Sequence, residues 1–223
     1  MSMKDKINIQ CRRCGKSIEV NKWSAVNGDK NPDLKEKILS GELFTAKCKS
    51  CGNVSQLGYP MVYNDPTENI MIWLVFDDDE IGHIRSYYKT CKTQSDENGK
   101  TVDKECRLRI VRNTYQLREK IMIADCGLDD KMVELAKLAY AKSTQQANSG
   151  EKIAVSFFSS ESGNNRIEMY FESGKAFVAV LSDEVMKKLE NKYGGKASYA
   201  ENRVYIIDDV WALDLIRQYE AEH

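Results

Sequence analysis

Apolar positions shift between strand and helix spacing along this chain, and the shifts mark out its elements. Ser17–Val26 alternates at Ile18 and Val20 and reads as a strand, with Trp23 and Val26 adding apolar bulk. Asn27-Gly28-Asp29 turns the chain. Asn31 then offers a helix cap and Pro32 a first helical position, while Leu34, Ile38 and Leu39 form one apolar face that ends at Gly41. Leu43–Lys47 and Val54–Tyr63 read as extended, the second interrupted by Gly58 and Pro60. Beyond the Asn64-Asp65-Pro66 turn, Ile70–Phe76 is apolar without alternation, as in a strand covered on both faces, and is expected to be central.

Asp77-Asp78-Asp79-Glu80 is expected to end that strand as a solvated turn, because it lacks the Asp-x-Asp-x-Asp-Gly spacing of a calcium loop. Ile81–Cys91 and Cys106–Val111 read as two further strands, joined by a polar loop over 93–104.

From Thr114 the spacing is helical. Tyr115, Leu117, Ile121 and Met122 predict one helix and Gly127 breaks it. Leu128-Asp129-Asp130 opens a second, with Met132, Val133, Leu135, Leu138 and Ala139 on its apolar side. Thr144–Gly150 is polar and is expected to be a linker. Lys152–Ser159, Arg166–Glu172 and Lys175–Leu181 then read as a three-stranded meander. Ser182 caps a helix expected to stop at Gly194-Gly195, Arg203–Ile207 is expected as a last strand, and Asp208 or Asp209 caps a final helix. Strands followed by helices argue for an α+β fold. Two domains are expected: a β-rich one over 7–143 and a smaller α+β one over 151–223.

With 223 residues, 42% apolar and 30% charged, the chain can bury a core of its own. It opens without the apolar stretch of a secretory signal, and no run approaches the roughly 18 apolar residues of a membrane span. A cytoplasmic protein without a membrane segment is expected. The near-zero net charge hides an asymmetry: residues 1–60 hold 11 Lys/Arg against 6 Asp/Glu, and residues 61–223 hold 22 against 28. A basic first part raises nucleic-acid binding as one reading.

The cysteines supply another. Cys11-Arg12-Arg13-Cys14-Gly15 and Cys48-Lys49-Ser50-Cys51-Gly52 place four thiols in two Cys-x-x-Cys pairs, the spacing at which two sulfurs of one tight turn face one ion. Thirty-three residues separate the pairs, enough for the connectivity of a zinc ribbon. Four thiolates around Zn²⁺ sum to −2, so Arg12, Arg13, Lys16, Lys47 and Lys49, each within two residues of a ligand, offset the site's own charge. Much of the basic excess is thereby explained without nucleic acid. Cys11, Cys14, Cys48 and Cys51 are expected to hold a structural zinc, since four sulfurs leave no position open for a reactive water. A rubredoxin-like iron centre would use the same four sulfurs for electron transfer.

With Pro32–Leu43 and the Tyr59-Pro60 and Tyr63-Asn64-Asp65-Pro66 stretches, these cysteines give residues 9 to about 125 a pattern that resembles the CpXC family, named for two Cys-Pro-x-Cys motifs. Arg109-Ile110-Val111 and Leu128-Asp129-Asp130 are similar to the continuation of its longer members. Here Arg12 and Lys49 stand where the family's name says proline, and proline is not a ligand. The resemblance implies a zinc-ribbon-like domain in a bacterial or archaeal family, and it brings no activity with it.

Nothing else carries reaction chemistry of that strength. His83 is the one internal histidine and reads as a half-exposed strand residue. Cys91, Cys106 and Cys126 read as inert apolar thiols, although Cys91 and Cys106 flank the polar loop. Tyr59, Tyr63, Tyr87, Tyr88 and Trp73 could stack bases if exposed, and otherwise are core. No phosphate loop, Gly-x-Ser-x-Gly or His-Glu-x-x-His sequence is present. The expectation is a non-enzymatic protein-interaction module built on a four-cysteine zinc ribbon. A nucleic-acid-binding ribbon and an enzyme in the C-terminal half are the alternatives.

Overall fold

The computed structural model describes residues 2–92, 106–148, 150–201 and 205–222, with the side chains of 87–92 and 198–201 outside that description. The chain forms two units, Met1–Arg118 and Glu119–His223. The fold is α+β, as its sequence pattern implies.

The first unit is built on a five-stranded sheet ordered β1-β2-β5-β6-β7. Its strands are β1 (Met3–Gln10), β2 (Ser17–Asn27), β5 (Met61–Asp65), β6 (Ile70–Leu74) and β7 (Arg107–Val111). Two antiparallel pairs, β1/β2 and β5/β6, are joined to their neighbours by parallel pairings, β2/β5 and β6/β7. Parallel neighbours need crossovers. The β2-to-β5 crossover contains helix α1 (Pro32–Ser40) and the small hairpin β3 (Thr45–Lys47) and β4 (Val54–Gln56). Helix α2 (Asp78–Lys92) lies between β6 and β7. On one sheet face Met61, Tyr63 and Asp65 of β5 register with Leu74, Ile72 and Ile70 of β6, and all six are buried. β6 is thus an inner strand, one place from the sheet centre.

Several expectations over this unit need correction. Ile81–Cys91 is part of α2 and not a strand. Among its described side chains Ile81 and Ile84, three apart, are buried, and Asp78, Asp79 and Glu80 fill its first turn, where carboxylates favour the positive end of the helix dipole. The acidic run is accordingly a helix start. His83 stands exposed on that helix. Val54–Tyr63 divides into β4 and β5, which belong to different sheets. Leu43–Lys47 begins as a 3-10 turn over Glu42–Phe44. The loop expected over 93–104 lies outside the described residues.

In the second unit β8 (Ile153–Glu161), β9 (Asn164–Phe171) and β10 (Ala176–Val180) form the expected antiparallel meander, ordered β10-β9-β8. Helices α4 (Asp130–Ala147), α5 (Asp183–Glu201) and α6 (Asp209–Glu220) belong to the same unit. α3 (Thr114–Asp125) contains the division between units. α4 is buried from two sides: Val133 and Ala136 pack with Phe158, Ile167 and Met169 of the sheet, while Met132 and Leu135 pack with Tyr193, Ala197, Trp211 and Leu215 of α5 and α6. The boundary expected at Thr144–Gly150 falls inside this unit, because α4 joins its core. α5 also continues through Gly194-Gly195, held on either side of the glycines by Tyr193 and Ala197. Of the strand expected over Arg203–Ile207, 203–204 lie outside the described residues and 205–207 form no strand.

Candidate metal centre

Each cysteine pair sits in the loop of an antiparallel hairpin. Gln10 pairs with Ser17 at the end of β1/β2, enclosing residues 11–16, and Lys47 pairs with Val54 at the end of β3/β4, enclosing residues 48–53. The two loops have the same internal bonding. Gly15 N–H donates to the Cys11 carbonyl at 2.9 Å and Cys11 N–H to the Lys16 carbonyl at 2.9 Å. In the second loop Gly52 N–H donates to the Cys48 carbonyl at 2.9 Å and Cys48 N–H to the Asn53 carbonyl at 2.8 Å. Both turns close through a left-handed glycine, with φ of 72° at Gly15 and 71° at Gly52.

The hairpins bring all four sulfurs together: Sγ atoms of Cys11, Cys14, Cys48 and Cys51 lie within 4.8 Å of one another. The Cys11–Cys51 and Cys14–Cys48 sulfurs are each 3.6 Å apart. Four sulfurs at about 2.3 Å from one ion define a tetrahedron with edges of about 3.8 Å. The donor set and its spacing therefore suit a tetrahedral metal ion. Ile9, Ile18, Val20, Ala46 and Leu57 pack against these cysteines and give the site an apolar floor.

Electrostatics favour a cation here. Backbone N–H groups of Cys14 and Arg13 pull the Cys11 thiol down to about 6, against burial. Those of Ser50 and Cys51 lower Cys48 in the same way. At Cys51 the Asn53 amide acts downward, but burial and the sulfurs of Cys14, Cys11 and Cys48 outweigh it and leave this thiol at about 12. The turns stabilise thiolates, yet their crowding opposes ionising all of them together. A divalent cation removes that conflict by displacing the proton. Arg12, Arg13, Lys16, Lys47 and Lys49 are all exposed around the loops.

Among the described residues this is the only grouping of His, Cys, Asp or Glu able to hold a metal. The other sequence candidates do not join it. Tyr59 and Tyr63 are core, the first donating to the Leu43 carbonyl at 3.1 Å and the second to Asp65 at 2.8 Å. Burial pushes the Cys106 thiol up despite Arg107 and Arg109, away from reactivity. Cys126 is half-buried and packs with the core of the second unit. The side chains of Cys91, Tyr87 and Tyr88 lie outside the described residues. No helix among the described residues is long and apolar enough to cross a membrane.

One feature left no mark in the hydrophobic pattern. Glu119 and Lys120 of α3 and Asp130, Glu134 and Lys137 of α4 are all buried and paired with one another. Lys120 Nζ lies 3.1 Å from Asp130 and 2.9 Å from Glu134, and Lys137 Nζ lies 3.0 Å from both Glu134 and Glu119. Phe158 N–H of β8 donates to Glu119 at 2.6 Å. Because α4 is packed on two sides, its charged positions are enclosed with the apolar ones.

No curated protein and no solved structure matches the chain. A family model described as CpXC protein matches residues 9–137, a span that takes in both cysteine loops and reaches into α4. The chain belongs to the CpXC family.

Proposed function

We propose that Cys11, Cys14, Cys48 and Cys51 hold one structural Zn²⁺ and that the protein is a cytoplasmic, non-enzymatic interaction module folded around it. The observation that carries this is the set of four sulfurs within 4.8 Å, contributed by two hairpins of matching internal bonding. Sulfur at all four corners gives tight tetrahedral binding and leaves no corner for water or substrate, so the ion's contribution is to folding. Zinc suits the set because it has no redox chemistry to lose and tolerates a closed tetrahedron; iron in the same cage would make an electron carrier. Free thiolates of this kind persist in a reducing compartment, which supports the cytoplasm. A protein partner is favoured over nucleic acid. Tyr59 and Tyr63, two of the rings that could have stacked bases, are buried, and the basic residues of the loops offset the thiolates.

Replacing Cys48 by Ser tests this. Metal-linked folding free energy in such sites is about 10 kcal/mol or more. The Ser variant is expected to lose its zinc, measured by elemental analysis, and the first unit its cooperative thermal transition. A Cys48→Ser protein with full zinc and unchanged melting would contradict the proposal.

A further inference from the structure

One cavity of the first unit takes its walls from both of the hairpins that carry the cysteine loops. Its volume is about 440 Å³. Ile7, Ile9, Arg12 and Lys22 of the β1/β2 hairpin line one side, and Leu57 and Pro60, on the chain leaving β4, line the other. Ile7 is in register with Val20 and Ile9 with Ile18, and directly opposed residues share a face. Ile9, Ile18, Val20 and Leu57 also pack against the cysteines, so the apolar wall of the cavity continues the floor of the metal site. Lys22, two residues beyond Val20 on the same strand, belongs to that face as well.

The charge of the lining is one-sided. Arg12 and Lys22 carry its only charges, and no carboxylate lines the cavity. Neither cation is held in an ion pair or a side-chain hydrogen bond among the described residues. Asp5, in register with Lys22, makes no ion pair with it and stays outside the lining. The Tyr59 hydroxyl offers no competing proton, because it already donates to the Leu43 carbonyl at 3.1 Å. Pockets for small molecules run from about 300 to 1,000 Å³ and are mostly apolar, with a few polar groups that fix the orientation of the ligand. This cavity has that character and lies near the lower end of that range, which suits a small molecule and not a segment of a partner chain.

We infer that the cavity binds a single-chain carboxylate, its alkyl part against Ile7, Ile9, Leu57 and Pro60 and its head group held by Arg12 and Lys22. One negative charge suits the site better than two. Arg12 adjoins Cys11 and gives part of its field to the thiolates, which around zinc sum to −2. The inference rests on the proposed zinc in one respect: an ion shared by the two cysteine loops holds the two walls together. The metal then builds a pocket whose ligand makes no bond to it.

The test is isothermal titration of the full zinc-loaded chain with decanoate. One decanoate per chain is expected to bind. Butyrate, which lacks the apolar body, and decylammonium, which reverses the head group, are each expected to bind at least about tenfold more weakly. Arg12→Glu combined with Lys22→Glu is expected to weaken decanoate about tenfold and to make decylammonium the better ligand, with zinc content and circular dichroism unchanged. Lys30→Glu, an exposed change of the same sign outside the lining, is expected to leave decanoate binding as it is. Chelation of the zinc is expected to abolish binding. A chain that elemental analysis shows to be zinc-loaded and that binds no decanoate would overturn this inference while leaving the metal site standing. Decylammonium bound as tightly as decanoate, decyl phosphate bound more tightly, or decanoate binding that survives the paired charge reversal or the loss of zinc would overturn it too.

Discussion

Gly15 and Gly52 adopt left-handed backbone, and a Cβ built on either meets no atom within 4 Å. Alanine there costs the backbone strain alone, about 1 to 2 kcal/mol. Gly15→Ala and Gly52→Ala are each expected to lower the first unit's melting temperature by similar amounts while one metal per chain is retained, by elemental analysis. Asp65 makes a second test at this scale. Burial works against its charge, but Lys35 at 3.0 Å, the Tyr63 hydroxyl at 2.8 Å and the Glu68 N–H hold its carboxyl below the usual carboxylate range. A lowered folded value means the stabilisation is complete above the unfolded pKa of about 3.9 and is lost as pH falls toward the folded value. Asp65→Asn is expected to destabilise at neutral pH and to flatten acid denaturation below about pH 4, where the wild-type charge is being lost. Unchanged acid melting would count against this. The cysteines and their closing glycines were legible because chemistry constrains their spacing. Asp65 was not, because in sequence it is only a turn residue beside proline.

At the scale of elements, the buried network on α3 and α4 is the sharpest case. Lys120 is shared by Asp130 and Glu134, and Glu134 also meets Lys137, so Lys120→Met removes one of the network's two buried ammonium groups, a loss of about 3 to 5 kcal/mol. Glu119 differs. Burial pushes its carboxyl up, against the nearby ammonium of Lys137, with Glu134 adding to the rise. A raised carboxylate pKa means its contribution is complete below the unfolded value of about 4.3 and declines as pH climbs through the folded one. Glu119→Gln keeps an acceptor for Phe158 N–H and is expected to be the mildest change in the network, flattening stability against pH above about 4 in denaturant melts. A loss as large as that of Lys120→Met would contradict it. Met132, Val133, Leu135 and Leu138 of α4 pack as the periodicity implies while Ala139 is exposed, and the helix's enclosure is not legible in that periodicity, since it shows one face and the second partner comes from α5 and α6 far along the chain. α2 shows a different failure. Ile81 and Ile84 and the acids before them are helix signals, and the neighbouring β-rich stretch obscured them. α5 runs through two glycines because Tyr193 and Ala197 are packed in its core, a tertiary effect over local propensity.

For the whole molecule, the four cysteines able to hold a metal all come from Met1–Arg118, so the proposed zinc would be a fold determinant of that unit, while Glu119–His223 has an apolar core of its own. Treatment with a strong chelator is expected to abolish the thermal transition of the first unit and leave the second, followed by calorimetry. Loss of both transitions, or of neither, would contradict that division. The boundary expected near residue 150 rests on the polar composition of Thr144–Gly150, whereas the two compact units divide inside α3. The most direct measurement of the central claim is X-ray absorption at the zinc edge on the chain purified without added metal. One zinc per chain with a single shell of four sulfurs at about 2.3 Å is expected. A shell containing nitrogen or oxygen would contradict a closed site of four cysteine sulfurs, and iron in place of zinc would contradict a structural, redox-inert one.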